Sequence, residues 1–287
     1  MSRLGILFMR WLAHWPLPLV RALGAVVGVV LYAVVPSRRH VVSTNLRLCF
    51  PKWSAAERRR VSRQVFVNVA RSFLDRGWLW HADPEVVRRR VVLTGAVGEL
   101  AGNEATIVFT PHFVGLDAGV SGLSQQVPRR LVGIYTRQSN QVIDEWVLAG
   151  RHRFGAVRPM SREEGVRDLV AALRRGELMY LLPDMNFGPA ESIFVPFYGV
   201  PAATVPSLSR FARLGRAKVV PLITRLTPTG YEVRVLPAWT DFPTADVTAD
   251  TALMNRRLEG YIDAMPDQYY WVHKRFKTRP PGEPPVY

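Results

Sequence analysis

The stretch from Ala105 to Gly119, "ATIVFTPHFVGLDAG", decides how this chain is read. Its opening, "ATIVF", is a short apolar run of the kind that forms a strand buried on both faces. Pro111 follows, and a helix is expected to start near Gly115. Around this junction stand two groups for which a core strand has no use, His112 and, five residues on, Asp117. A carboxylate at a helix N-terminus is favoured by the peptide dipoles. It can accept one imidazole N–H, fix the tautomer and leave the other ring nitrogen as a base. Taken alone, H-x4-D reads equally as a histidine capping a strand end. The chain has no G-x-S-x-G and no serine or cysteine at nucleophile-elbow spacing, so the base would act on a bound hydroxyl or water. The other five histidines form no zinc-spacing cluster, and no metal is expected.

Working outward, short apolar runs recur at 91–93, 106–109, 131–135, 178–182, 218–224 and 231–237. Helical stretches at 140–149, 161–175, 205–214 and 248–264 lie among them. This alternation predicts an α/β fold with a mostly parallel central sheet flanked by helices. Chemistry in such sheets collects at the carboxyl ends of strands. His112 lies at one such end and Asp184, just after "LMYLLP", at another. Upstream, Ser54 and Glu57 form a capping box ahead of a long helix whose Val61, Val65, Val69 and Phe73 make an apolar stripe. Ser161 and Glu164 repeat the capping pattern. Arg58, Arg59, Arg60 and Arg63 crowd the start of the long helix, where its dipole disfavours cations. They read either as a solvated face or as a site for anionic headgroups.

The chain has 287 residues, a formal net charge of +15 and one cysteine. The charge calls for an anionic partner: a nucleic acid, an anionic membrane or a phosphorylated substrate. No disulfide framework is possible. From Met1 to Ala56 there is no Asp or Glu, and Ala22–Val35 is uncharged and mostly apolar. Extended back to Pro16 it reaches the ~20 residues that span a bilayer. Arg21 would then snorkel to the interface, where Trp11 and Trp15 also belong. "YAVVPSRRH" offers no small-x-small cleavage site, so the segment reads as a retained anchor over residues 1–36, ahead of a folded domain over 37–287. A buried N-terminal helix of a soluble protein is the alternative.

Three further constellations carry chemistry. In "YTRQSN" (135–140), Arg137, with Arg151 downstream, could hold phosphate, and a helix starting near Asn140 could offer N–H donors. Surface arginines are the plain alternative. "LLPDMNFGPAESIFVPFYGVPAAT" (181–204) is too apolar for a solvated linker. It walls an acyl or lipid groove, or packs on its own aromatics. In "QYYWVHKRFKTRP" (268–280) the aromatics face inward while His273, Lys274, Arg275 and Lys277 project charge. That suits a nucleic-acid patch, a headgroup site or a helix end. No zinc-finger or RNP-type aromatic signature accompanies it, so a nucleic-acid partner is not expected.

These pieces, in this order, resemble the bacterial lipid A biosynthesis acyltransferases, the late lauroyl/myristoyl transferases of the lysophospholipid acyltransferase superfamily. "TNLRLCFP" (44–51), "PHFVGLD" (111–117), "YTRQSN", "LPDMNFGP" (182–189), "VPFYGVPAATVP" (195–206) and "QYYWVHKRFKTRP" carry the resemblance. It implies acyl transfer from an acyl carrier protein thioester to a hydroxyl of a phosphorylated glucosamine lipid, with no cofactor. It implies His112 as general base and Asp117, where close relatives often carry Glu, as its orienting carboxylate. Arg137, Asn140, Arg151, Asp184, Lys274 and Arg275 would then bind substrate. The implied location is the bacterial inner membrane, with the catalytic domain on its cytoplasmic face. A phospholipid or glycolipid acyltransferase of the same superfamily, or a noncatalytic membrane lipid-binding protein, are the alternative functions.

Overall fold

The computed structural model describes residues 3–155, 157–161 and 165–287. Its strands are β1 (Val91–Gly95), β2 (Thr106–Phe109), β3 (Leu131–Tyr135), β4 (Val157–Ser161), β5 (Leu178–Leu181), β6 (Ile193–Phe197), β7 (Val200–Thr204), β8 (Lys218–Thr227) and β9 (Gly230–Val235). Seven of them form one sheet in the order β1-β9-β8-β2-β5-β3-β4, and β6 and β7 form a separate antiparallel hairpin. The large sheet is parallel throughout except at β8–β9. The α/β expectation with a mostly parallel sheet therefore holds.

β2 sits between β8 and β5, and all four of its residues are buried. Side chains alternate across a strand, so Ile107 and Phe109 join one core with Met179, Leu181 and Val219. Val108 joins the opposite core with Leu178, Tyr180 and Val220. A strand covered on both faces needs apolar residues at every position, which is why "TIVF" carries no alternation.

Helices α1 (Arg3–Leu12), α2 (Leu17–Val34), α3 (Pro36–Cys49), α4 (Ala55–His81) and α5 (Pro84–Arg90) precede or flank the first strand. α6 (Leu116–Gln126), α7 (Gln141–His152) and α8 (Val166–Arg174) connect β2, β3, β4 and β5, and α9 (Ser207–Gly215) and α10 (Val247–Asp263) follow. The first capping box is present: the Ser54 N–H donates to Glu57 Oε2 at 2.7 Å, and the Glu57 N–H donates to Ser54 Oγ at 3.2 Å. The second capping box, with Glu164, lies outside the described residues. Of the stripe on α4, Val61 and Val65 are buried while Phe73 is exposed.

The N-terminal segment differs from a free-standing anchor. Pro16 breaks it into α1 and α2, and α2 lies along α4. Gly24 and Gly28 permit the close approach: a Cβ on Gly28 would meet Val67 Cα at 2.4 Å, and one on Gly24 would meet Arg71 Cα at 2.8 Å. Arg21, expected to snorkel, instead faces the protein. It is buried, pairs with the fully buried Asp75 at 3.0 Å and donates to the Thr227 and Gly230 carbonyls. A guanidinium within reach of a buried carboxylate and two carbonyls is held by charge-assisted hydrogen bonds. The other side of α2 leaves Leu19, Val26, Val30, Leu31 and Val34 exposed, and α1 exposes Leu4, Leu7, Phe8 and Trp11. α2 is long and apolar enough to cross a membrane, with mean hydropathy 2.1.

Candidate active site

The parallel register of β2 and β5 sets Phe109 opposite Leu181. The Thr110 N–H donates to the Leu181 carbonyl at 2.9 Å, so the chains stay side by side past the strand ends. Three residues beyond Phe109 is His112, and three beyond Leu181 is Asp184. The two meet: His112 Nδ1 lies 2.6 Å from Asp184 Oδ1, and the His112 N–H donates to Oδ2 at 3.0 Å. The Tyr269 hydroxyl donates to the same Oδ2 at 2.9 Å.

Asp184 is fully buried. Burial alone raises its carboxyl pKa, but the His112 charge, the two His112 hydrogen bonds and Tyr269 outweigh it and pull the group down to about 2. The ionised carboxylate only accepts hydrogen bonds, so the proton of the short contact belongs on Nδ1. In the neutral ring the lone pair is then on Nε2. That nitrogen has no hydrogen-bond partner among the described residues, and His112 lines an open cleft.

The expected pairing of His112 with Asp117 is not formed. His112 lies in the loop before α6, and the helix begins only at Leu116, so the two residues do not share one helical face. Asp117, in the first turn of α6, is turned to two arginines. Arg76 Nε on α4 donates to its Oδ2 at 2.8 Å, and Arg151 Nε on α7 to its Oδ1 at 3.0 Å. Burial pushes the Asp117 pKa up, and the two guanidinium charges overturn that and hold it at about 2. Asp117 and Arg151 line the same cleft as His112.

The cleft encloses about 750 Å³, within the ~300–1,000 Å³ of small-molecule sites. Its walls are mainly apolar: Leu116 and Val120 of α6, Ile134 of β3, Leu169 of α8 and Phe211 and Leu214 of α9. Leu182, Pro183, Phe187 and Glu191 complete it, so the first half of the apolar loop expected to wall a groove does so. The second half instead forms the β6–β7 hairpin, which packs against α10.

Four other expected substrate contacts lie elsewhere. Arg137 is exposed and outside the cleft lining. Asn140 caps α7, its Oδ1 accepting the Ile143 N–H at 3.1 Å. Lys274 is exposed and outside the cleft lining, over the Tyr287 ring. Arg275 is a core residue, 2% exposed. It donates to the Ala203 carbonyl and to Thr204 Oγ1, both at 2.7 Å, because an interior guanidinium is tolerated only where acceptors meet it.

The tail around Arg275 is thus a clamp more than a charged patch. The Asn45 amide donates to the Trp271 and His273 carbonyls at 2.8 Å each, tying "TNLRLCFP" to the tail. The Tyr270 N–H donates to the His112 carbonyl at 2.9 Å. His273 Nε2 accepts the Asn186 N–H at 3.0 Å. Burial, then the Arg275 and His112 charges, lowers the His273 pKa to about 4, which keeps this acceptor neutral. Sequence reasoning missed Arg76, Tyr269 and the pairing of Asp184 with His112. Arg76 gave no signal of its own among the arginines of α4. Tyr269 lay inside the tail block, visible as an inward aromatic but not as a hydroxyl donor.

The family model described as bacterial lipid A biosynthesis acyltransferase matches residues 1–278. Over 290 residues the chain is 31% identical to the lipid A biosynthesis lauroyltransferase of Escherichia coli K12, covering 99% of this chain and 94% of that protein. It is 31% identical over 288 residues to a lipid A biosynthesis acyltransferase of Haemophilus influenzae, covering 98% and 88%. With the lipid A biosynthesis myristoyltransferase of Escherichia coli K12 it shares 32% identity over 257 residues, covering 86% and 77%.

Proposed function

The chain belongs to the bacterial lipid A biosynthesis acyltransferase family, and from that premise we propose that it moves a fatty acyl group from an acyl carrier protein thioester to a hydroxyl of a phosphorylated glucosamine lipid. It is an acyltransferase of lipid A biosynthesis. His112 is the general base and Asp184 the residue that orients it. The observation that carries this reading is the 2.6 Å contact between Nδ1 and a buried, ionised Asp184, with the opposite ring nitrogen left for the cleft.

His112 Nε2 takes the acceptor's hydroxyl proton as the oxygen attacks the thioester carbonyl carbon. The C–O bond forms, the tetrahedral intermediate collapses, the C–S bond breaks, and the imidazolium returns its proton to the departing thiolate. Asp184 stabilises the imidazolium by charge and hydrogen bond throughout. The apolar walls take the acyl chain. Asp117, pinned by Arg76, holds Arg151 at the cleft, where its guanidinium binds an acceptor phosphate in the bidentate manner arginine favours. Residues 1–36 hold the catalytic domain, 37–287, at the cytoplasmic face of the inner membrane. The exposed apolar faces of α1 and α2 support that placement.

The direct test is His112→Ala in the full chain, purified in detergent and given acyl carrier protein thioester and a lipid A precursor. Mass spectrometry should show the precursor gaining one acyl chain with the unmodified protein. The variant should transfer about 10²–10⁴-fold more slowly while keeping its folded circular dichroism spectrum, with a somewhat lower melting temperature because the buried Asp184 loses a partner. Undiminished transfer would overturn the assignment of the base.

A further inference from the structure

Between α2 and α4 lies a second cavity of about 550 Å³, apart from the catalytic cleft. Arg59, Arg60, Arg63 and Arg71 line it, and no carboxylate does. None of the four forms an ion pair among the described residues. Arg59, Arg60 and Arg63 are exposed, and Arg71 is half-buried, its Nε donating to the Arg21 carbonyl at 3.2 Å. Like charges gathered in one cleft repel, and Arg59 and Arg60 stand near the positive end of the α4 dipole, which adds to the cost. An anion in the cleft removes both penalties. Its far wall is hydrocarbon, Ala25 and Val29 of α2, and the neighbouring face of the same helix exposes Val26, Val30 and Val34.

We propose that this cleft binds the phosphate of an anionic membrane phospholipid, whose acyl chains lie along the exposed apolar face of α2. The inference rests on the membrane-facing reading of α1 and α2 and is independent of the chemistry assigned to His112. A free phosphate would use the arginines alone. A phospholipid uses the arginines and the apolar wall together, and that pairing favours the lipid.

The test is co-flotation of the full chain with vesicles of phosphatidylcholine alone or with a fifth of phosphatidylglycerol. The unmodified protein should bind the anionic vesicles at least 10-fold more tightly. The triple variant Arg59→Gln, Arg60→Gln, Arg63→Gln should lose about 10- to 100-fold of that preference, and Arg63→Glu alone about 10-fold, by the usual attraction of a basic residue to an anionic surface. A control with the same charge loss on other exposed arginines, Arg88→Gln, Arg89→Gln, Arg256→Gln, should keep the preference. Equal loss in both triples would reduce the effect to net charge and overturn the site, as would full retention in the first. Inorganic phosphate at matched ionic strength should not displace the protein from vesicles, and displacement would reassign the cleft to a free anion and overturn the lipid. In detergent, where docking is not needed, the first triple should keep its acyl transfer. Failure of the unmodified protein to transfer would count against the proposed reaction while leaving the vesicle result standing.

Discussion

Two buried aspartates hold side chains that line one cleft: Asp184, three residues past β5, holds His112, and Asp117, in the first turn of α6, holds Arg151. Both are ionised far below the ordinary range, each near 2, and burial opposes both shifts. Their partners differ. Asp184 is met by an imidazole, a backbone N–H and a tyrosine hydroxyl, groups that leave its negative charge available to an imidazolium. Asp117 is met by two permanent cations, which neutralise it and are positioned by it. The contrast teaches that a depressed carboxylate pKa does not by itself tell the partner of an imidazole from the anchor of an arginine pair, and that the groups donating to it do.

The largest expected effect that could break this contrast is on Asp184→Asn. The amide can turn its NH2 toward Nδ1, which moves the ring proton to Nε2 and removes the base. The maximal rate should fall about 10²–10⁴-fold with little change in KM, as read by steady-state acyl transfer. Asp117→Asn should act on the other term. It frees Arg151 and Arg76, and KM for the phosphorylated acceptor should rise roughly 10-fold, the scale of one charge-assisted hydrogen bond, while the maximal rate changes only a few-fold. A collapse of the maximal rate in Asp117→Asn equal to that of Asp184→Asn would erase the distinction.

The smallest effect is on acid stability. Each carboxyl falls from an ordinary 3.8 to about 2 on folding, so each contributes stability that is complete above about 4. That stability is lost as the pH drops through about 2, because the unfolded chain binds the proton first. Denaturation followed between those limits should show a shallower pH slope in either Asn variant, by about one proton. An unchanged slope in one variant would mean that its aspartate is not held ionised by its neighbours.

What the sequence made legible was local. The runs 106–109 and 131–135 match β2 and β3 at both ends, and the Ser54–Glu57 box starts α4, because strand burial and capping depend on residues close in the chain. The β6–β7 hairpin was hidden by Pro196 and Pro201, which argue against a central strand but are tolerated in a two-stranded ribbon with free edges. β4, "VRPMS", lies at the sheet edge and has too few apolar residues to register as a buried run. The site was half legible. His112 at the end of β2 followed from the apolar run before it. Its partnership with Asp184 follows from the pairing of two strands separated in sequence by 72 residues, and H-x4-D pointed to the nearer carboxylate instead. Arg21 is the same case, since its partner Asp75 lies 54 residues away and only the packing of α2 on α4 brings them together. Arg275 was read with Lys274 as charged surface because composition cannot tell a solvated guanidinium from one buried on a carbonyl and a hydroxyl.

The tail clamp also makes the imidazole's position depend on a distant stretch of chain. Tyr269 reaches back to Asp184, Tyr270 to His112 and His273 to Asn186, so the corner that holds the imidazole is closed by a segment lying 85 residues or more further along the chain. Loosening residues 268–280 would therefore release His112 and Asp184 together, although neither belongs to that segment.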